Sequence, residues 1–463
     1  MKHVHLIGIG GSGLSAIALF LKEKGYHVTG SDRALSPLAA QLVSDGITVY
    51  AGHDPANVRG ADVVIRSSAV PLENPEVQAA LEAGIPVLKR QEFLEQLCGD
   101  QTVLAIAGTH GKTTTTAMLA WVLTRLNHDP SYLIGGVSKN LRGNAHAGRG
   151  KWFVIEADEY DHMFLGLKPG MILLTTVEHD HPDCFPTPES YFEAFAQFIK
   201  QLQPGGVLIA NAENSMAARL AEEVRQGGGH CLTYALQQPA DVQATIRGVN
   251  EMGGLDFEVS IPSRGQPLRS IRARLQVPGS HNVMNAAAVL SACSMLGLSL
   301  DEAAQALTEF SGTGRRFDVL GEANGVVVVD DYAHHPTEVN ATLSAAKMRY
   351  PRRRIWAVWQ PHTYSRTLAL MEGFTRAFQS ADEVVVTEVY AARERNEGFS
   401  AAQVVSRMAH PSVRFIPTIP EATAFLLKNL QKGDVLLVLS AGDADQISAQ
   451  VFSALKEKEL ADV

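Results

Sequence analysis

An α/β fold of doubly wound, largely parallel sheets spread over several domains is predicted by three observations. Strand-like apolar runs alternate with helix-like stretches along most of the chain. Glycine-rich turns join a strand to a helix at residues 8–13 and again at 108–111. The chain has 463 residues, too many for one core, so roughly two to four domains are expected.

The elements follow in order. Val4-His5-Leu6-Ile7-Gly8 reads as a strand, Leu14 to Lys24 as a helix, and Val28 to Asp32 as a second strand. Leu38 to Asp45 is helical, Val63-Val64-Ile65 runs into Ser67-Ser68, and a helix from Pro75 to Ala83 leads to Pro86-Val87-Leu88. A second unit starts near Val103, with strands at 152–156, 171–175 and 206–210. Polar and apolar residues alternate within 240–277, as in an antiparallel patch. Asn282 to Leu296 is an alanine-rich helix. A third unit starts near Arg316, with strands at 325–329, 355–358, 383–387 and 434–439.

Composition narrows the function. Net charge is −9 without a long basic run, which disfavours nucleic acid as the main partner. Cys98, Cys184, Cys231 and Cys293 are scattered and read as buried thiols of a reducing, cytoplasmic protein. Glycines interrupt the apolar N-terminal stretch, which reads as mature fold. No apolar run is long enough to span a bilayer.

The loop Gly108-Thr109-His110-Gly111-Lys112-Thr113-Thr114 between a strand and a helix has the layout of a nucleotide phosphate cradle. Small residues let backbone N–H groups close on phosphates. Lys112 would neutralise the outer phosphates and Thr113 would sit on Mg²⁺. The loop is tighter than a full Walker A, with Ile106 where the first glycine belongs.

Gly8-Ile9-Gly10-Gly11-Ser12-Gly13, with Asp32 ending the next strand, fits a dinucleotide fingerprint. A nicotinamide cofactor, another diphosphate such as a UDP-sugar, or a structural turn all satisfy it. Glu156-Ala157-Asp158-Glu159-Tyr160-Asp161 sets four carboxylates at a strand end, where Mg²⁺ could bind. Glu156 is the best placed of them, expected to point out of the sheet edge. His179-Asp180-His181-Pro182-Asp183 is a metal site or a polar loop. The adjacent His334 and His335 point different ways, so one of them contacting nucleotide or substrate is the functional option. Arg315 and Arg316 suit bidentate phosphate contact, and His362 with Arg366 could meet a carboxylate.

In this order the motifs resemble the Mur ligases, ATP-dependent amide-forming enzymes of peptidoglycan precursor synthesis. The resemblance runs from Gly8–Gly13 through Gly108–Thr115, Glu156–Glu159, Gly279–Asn282, Gly312–Asp318 and Asp330–Glu338 to Gln360-Pro361-His362. It is strongest to the branch that adds L-alanine to UDP-N-acetylmuramate. It implies a Rossmann-like UDP-binding domain (1–98), a central P-loop ATPase-like domain (99–313) and a C-terminal Rossmann-like domain that brings the amino acid (314–463). ATP and Mg²⁺ are the implied cofactors, and UDP-N-acetylmuramate and L-alanine the substrates. The implied protein is a cytoplasmic monomer or homodimer that inserts into no membrane.

The resemblance also implies roles. Lys112, Glu156 and His181 are catalytic, and Thr113, Glu156 and His181 hold metal. Gly108, Thr109, Gly111, Lys112, Thr113, Thr114, Asn285, Arg316, Asp331 and His335 bind ATP. Gly10, Gly11, Ser12, Gly13, Asp32, Ser67 and Ser68 bind the UDP-sugar, and His362 and Arg366 the amino acid. Some relatives carry a carbamylated lysine beyond the Asp-His pair. Residues 191–197 contain no lysine, so none is expected here. Pro182 and Ser440-Ala441-Gly442-Asp443 also depart from the usual pattern. The alternatives are a tripeptide-recycling or folylpolyglutamate-type ligase within the family, and an NAD(P)-dependent dehydrogenase or a non-catalytic nucleotide switch outside it.

Overall fold

A computed structural model describes residues 2–263, 266–396 and 398–461, with the side chains of residues 12, 37, 263, 266 and 267 outside the description. Three sheets divide the chain. The first contains β1 (His3–Ile7), β2 (His27–Asp32), β3 (Thr48–Ala51), β4 (Val63–Arg66) and β5 (Val87–Lys89). It is wholly parallel in the order β3-β2-β1-β4-β5, so the chain reverses direction of travel between β1 and β4.

The second sheet holds β6 (Thr102–Ala107), β7 (Ser131–Ser138), β8 (Gly143–His146), β9 (Trp152–Glu156), β10 (Pro169–Leu174), β11 (Val207–Asn211), β12 (His230–Ala235), β13 (Val242–Val249), β14 (Leu255–Ser263) and β15 (Gln266–Arg274). Its order is β15-β14-β13-β12-β11-β10-β6-β9-β7-β8. The centre is parallel, and β13 to β15 form the antiparallel patch that alternation predicts. The third sheet holds β16 (Asp318–Ala323), β17 (Val326–Asp331), β18 (Arg354–Trp359), β19 (Glu383–Val386), β20 (Val413–Phe415) and β21 (Asp434–Leu439). Its order is β16-β17-β21-β18-β19-β20, with only β16 antiparallel to its neighbour.

Several elements escape the sequence patterns. β3 is short and mostly exposed, so it carries no apolar run. β7 and β8 contain glycines and pair irregularly. The helix Pro188–Ile199 lies in a stretch that the residue patterns leave unassigned. Thr187 starts it, its hydroxyl accepting from the Ser190 N–H at 3.1 Å, with proline in the first turn.

The cores explain how the sheets are joined. One apolar cluster runs from Leu6, Ile17 and Phe20 in the first unit to Phe153, Phe164 and Phe195 in the second. Phe20 and Phe153 meet across that boundary with ring centroids 5.2 Å apart, both essentially inaccessible. The third unit has its own two clusters, around Trp359 and around Leu436. Ion pairs are prominent among its contacts with the rest. They include Arg366–Asp180 at 2.7 Å, Arg393–Asp183 at 2.6 Å and Lys139–Asp318 at 2.6 Å. No helix of the described residues is long and apolar enough to cross a membrane.

Truncating Phe153 to Ala is therefore expected to cost about 3–5 kcal/mol. Urea unfolding should show the loss in a transition shared by the first two units, leaving the third unit's transition in place.

Candidate functional site

β6 and β9 are neighbours at the centre of the second sheet, and their carboxyl ends face one cleft. Ligands collect at such strand ends in open α/β sheets. β6 ends at Ala107, and the helix Lys112–Arg125 begins after a four-residue loop. Gly108 has φ +134°, and a Cβ there would collide with Thr175 and with the Thr176 backbone. No side chain caps this helix at Gly111, so its first N–H groups are directed into the loop.

Lys112 Nζ donates to the Gly108 carbonyl at 2.5 Å and to Glu159 Oε2 at 2.8 Å. Burial opposes its charge, but Glu159, Asp158 and Glu156 hold the ammonium above the ordinary lysine range. Glu159 is itself inaccessible and accepts from the Tyr191 hydroxyl at 3.0 Å; that hydroxyl also meets Thr109 Oγ1 at 3.0 Å. Tyr191 thus stands on the helix where the sequence lacks a lysine.

Glu156 turns inward rather than off the sheet edge. Its Oε1 accepts from Thr113 Oγ1 at 3.1 Å and its Oε2 from the Gly135 N–H at 2.7 Å. Burial pushes this carboxyl up, with Lys112 the main opposing influence. A half-buried carboxylate beside a hydroxyl fits Mg²⁺ with its preference for hard oxygens. His181 has φ +54°, uncommon for a non-glycine residue. Its Nε2 lies 3.8 Å from Glu159 Oε1 and 3.7 Å from Asp180 Oδ2.

The third unit closes the cleft. Arg366, only 5% exposed, binds Asp180 through Nε at 2.7 Å and Nη2 at 3.3 Å, and its Nη1 lies 3.0 Å from His362 Nδ1. Arg366 thus serves a buried inter-unit ion pair. Burial and the Arg366 charge push His362 down to about 4. Arg315 pairs with Asp330 at 3.2 Å and the Ser440 carbonyl at 2.7 Å; both arginines border the larger cavity, and Arg316 also borders the smaller one. Asp331 accepts the Phe317 and Ala333 N–H groups, and burial raises it to about 6. His334 and His335 do diverge. The first ring faces His362 with centroids 6.1 Å apart, the second faces His110 at 4.6 Å.

His110 joins two carboxylates. Its Nδ1 lies 3.1 Å from Glu338 Oε1 and its Nε2 3.3 Å from Glu178 Oε2. Burial works against the imidazolium, but the two carboxylates raise it to about 9. His110, Glu178 and His335 bring three ligand-type atoms within 4.8 Å of one another. With both His110 nitrogens turned to carboxylates, the charge balance favours an imidazolium there over a metal ion.

In the first unit, the Gly10 N–H donates to Asp32 Oδ2 at 2.9 Å. A Cβ on Gly13 would collide with the Arg90 guanidinium, which reaches across to Asp158 at 3.1 Å. Ser67 follows β4 and stands against Gly8, with Ser68 next to it. The Ser12 side chain lies outside the described residues.

Two cavities result. The larger, about 770 Å³, is lined by Gly10, Gly13 and Arg90 of the first unit, Lys112, Thr113, Glu156 and His181 of the second, and Arg316, His362 and Arg366 of the third. The smaller, about 200 Å³, is lined by Gly111, Thr114, Asn285, Arg316 and Asp331 among others. Arg90, Glu178 and Tyr191 are participants that residue patterns do not single out, while Glu159 and Glu338 lie within the motifs but draw no role of their own from them. Glu338 has a further local cue, standing three positions after His335 in a capping arrangement.

Two outcomes are expected. Asp180→Asn leaves the Arg366 charge buried and unpaired, and should cost about 3 kcal/mol or more in urea unfolding. The raised His110 pKa means its stabilisation is complete below the ordinary 6.5 and is lost as pH rises through about 9. The stability gap between wild type and His110→Asn, measured by denaturation across pH, should therefore shrink over that window.

Comparison with known proteins places these features in context. Residues 3–102 match the model "Mur ligase family, catalytic domain", 106–293 the Mur ligase middle domain, and 315–442 the "Mur ligase, glutamate ligase domain". The chain is 40% identical to the UDP-N-acetylmuramate–L-alanine ligase of Roseiflexus castenholzii, covering 99% of this chain and 98% of that one. Among solved structures it is similar to the UDP-N-acetylmuramate–alanine ligase of Thermotoga maritima, with TM-score 0.83, 28% identity, and 99% and 100% of the two chains covered. A murein peptide ligase of Psychrobacter arcticus matches with TM-score 0.73, 26% identity, and 98% and 99% coverage.

Proposed function

The chain belongs to the Mur ligase family, and we propose that it joins L-alanine to the carboxylate of UDP-N-acetylmuramate at the expense of ATP. The observation that carries this reading is the single cleft lined by the Gly10–Gly13 loop, the Lys112 loop and the His362 segment. One carboxylate delivered from the first unit can there meet a phosphate held by the second and an amine brought by the third.

In this reading residues 1–98 hold the UDP-sugar, 99–313 ATP and 314–463 the amino acid. The sugar-linked carboxylate attacks the ATP γ-phosphate, ADP leaves, and an acyl phosphate forms. The alanine amine attacks the acyl carbon and phosphate departs. Transfer between anions needs cations and fixed N–H donors more than acid or base groups. Lys112, already seated in the loop by Glu159, bears on the γ-phosphate together with the N–H groups of the helix start. Arg316 bears on the phosphates from the opposite wall, and Asn285, Asp331 and His335 flank the nucleotide. Thr113, Glu156 and His181 would hold Mg²⁺, which when bound offsets the negative charge of the phosphates. His362, kept neutral by burial, stands at the amino-acid end. The setting is cytoplasmic, with small molecules as partners.

The test is ADP release from purified protein given UDP-N-acetylmuramate, ATP, Mg²⁺ and a panel of amino acids. L-Alanine should support the highest kcat/KM. A tripeptide preferred over alanine would redirect the reading to muropeptide recycling. Lys112→Ala should lower ligation about 10³-fold while UDP-N-acetylmuramate binding, followed by calorimetry, stays within a few-fold.

A further inference from the structure

The first two units share one apolar core, whereas the third has its own and meets them through ion pairs such as Arg366–Asp180 and Arg393–Asp183. Among the described residues, His110 is the member of the phosphate loop that enters those contacts through its side chain. It is anchored within the second unit by the Thr176 hydroxyl, which accepts its N–H at 3.1 Å, and by Glu178. Across the seam it holds Glu338 Oε1.

Glu338 is well connected on its own side. Its Oε2 accepts the His334 N–H at 3.0 Å and the His335 N–H at 3.3 Å, and its Oε1 lies 3.9 Å from Arg316 Nη1. The Thr337 hydroxyl donates to Glu178 Oε2 at 2.7 Å, closing the ring of contacts. The segment 334–338 is thus tied to a side chain set between Gly108 and Lys112.

We propose that His110 is a positioning residue for the ligation: it ties the phosphate loop to the third unit through Glu338, so that the amino-acid end of the cleft is set relative to the γ-phosphate. His110 acts on the amino-acid end through Glu338 and the segment that Glu338 organises, while its ring also borders the smaller cavity beside His335. The inference rests on the ligase reading above, and its test separates the two.

The experiment is a double-mutant cycle with His110→Asn, Glu338→Gln and the pair, in full-length protein. Each single variant should lower kcat and raise KM for L-alanine, together about 10-fold in kcat/KM, and the pair should lose little more than either alone. Binding of a non-hydrolysable ATP analogue to His110→Asn should stay within a few-fold of wild type. Small-angle scattering of ligand-free His110→Asn should give a larger radius of gyration than wild type, a result that requires no activity. Effects that multiply in the pair would overturn the inference, as would an unchanged alanine KM and kcat or an unchanged scattering profile. A wild type that releases no ADP would instead sink the ligase reading, while scattering still tests the tie.

Discussion

Charge buried in the cleft has to be neutralised from more than one unit, and this constraint organises the molecule. Asp180 is buried in the second unit, and its partner Arg366 comes from the third. Glu338 belongs to the third unit and draws on His110 of the second. Asp158 belongs to the second and meets Arg90 of the first. Truncating Arg366 or His110 would strand the Asp180 or Glu338 carboxylate away from water, which costs far more than a surface pair is worth. The cleft is thereby a product of the assembled units.

The two kinds of seam have different mechanical consequences. The apolar continuity from Phe20 to Phe153 makes the first two units one body, because separating them would expose a packed core. The ionic seam to the third unit exchanges protein contacts for water at lower cost. An enzyme that must admit three substrates and then exclude water benefits from that arrangement. The strained backbone at His181, Arg315, Phe317 and Thr363, all at positive φ, lies along this seam and its flanks.

Much of this was legible in the residues. Alternating strands and helices announce the three sheets, and the glycine loops at 8–13 and 108–111 mark strand–helix turns beside the cleft. The missing early glycine is no defect, because Gly108 alone makes the tight approach to Thr175 and Thr176. What stayed hidden depends on topology. Arg90 and Glu178 carry no local pattern, and they matter only because the fold sets them beside Gly13 and His110. Tyr191 reads as an ordinary helix residue until its hydroxyl is seen on Glu159. Arg366 looks like a free anion receptor in sequence, and only the three-dimensional pairing with Asp180 shows its charge in use.

The account's central claim is that three units act on one carboxylate in one cleft, through an acyl phosphate. The most direct measurement uses UDP-N-acetylmuramate carrying ¹⁸O in both carboxylate oxygens, with ATP and L-alanine. Mass spectrometry of the released phosphate should find one ¹⁸O atom per turnover, with the other retained in the new amide. Unlabelled phosphate would contradict the account, because no oxygen would then have passed from the carboxylate to phosphorus.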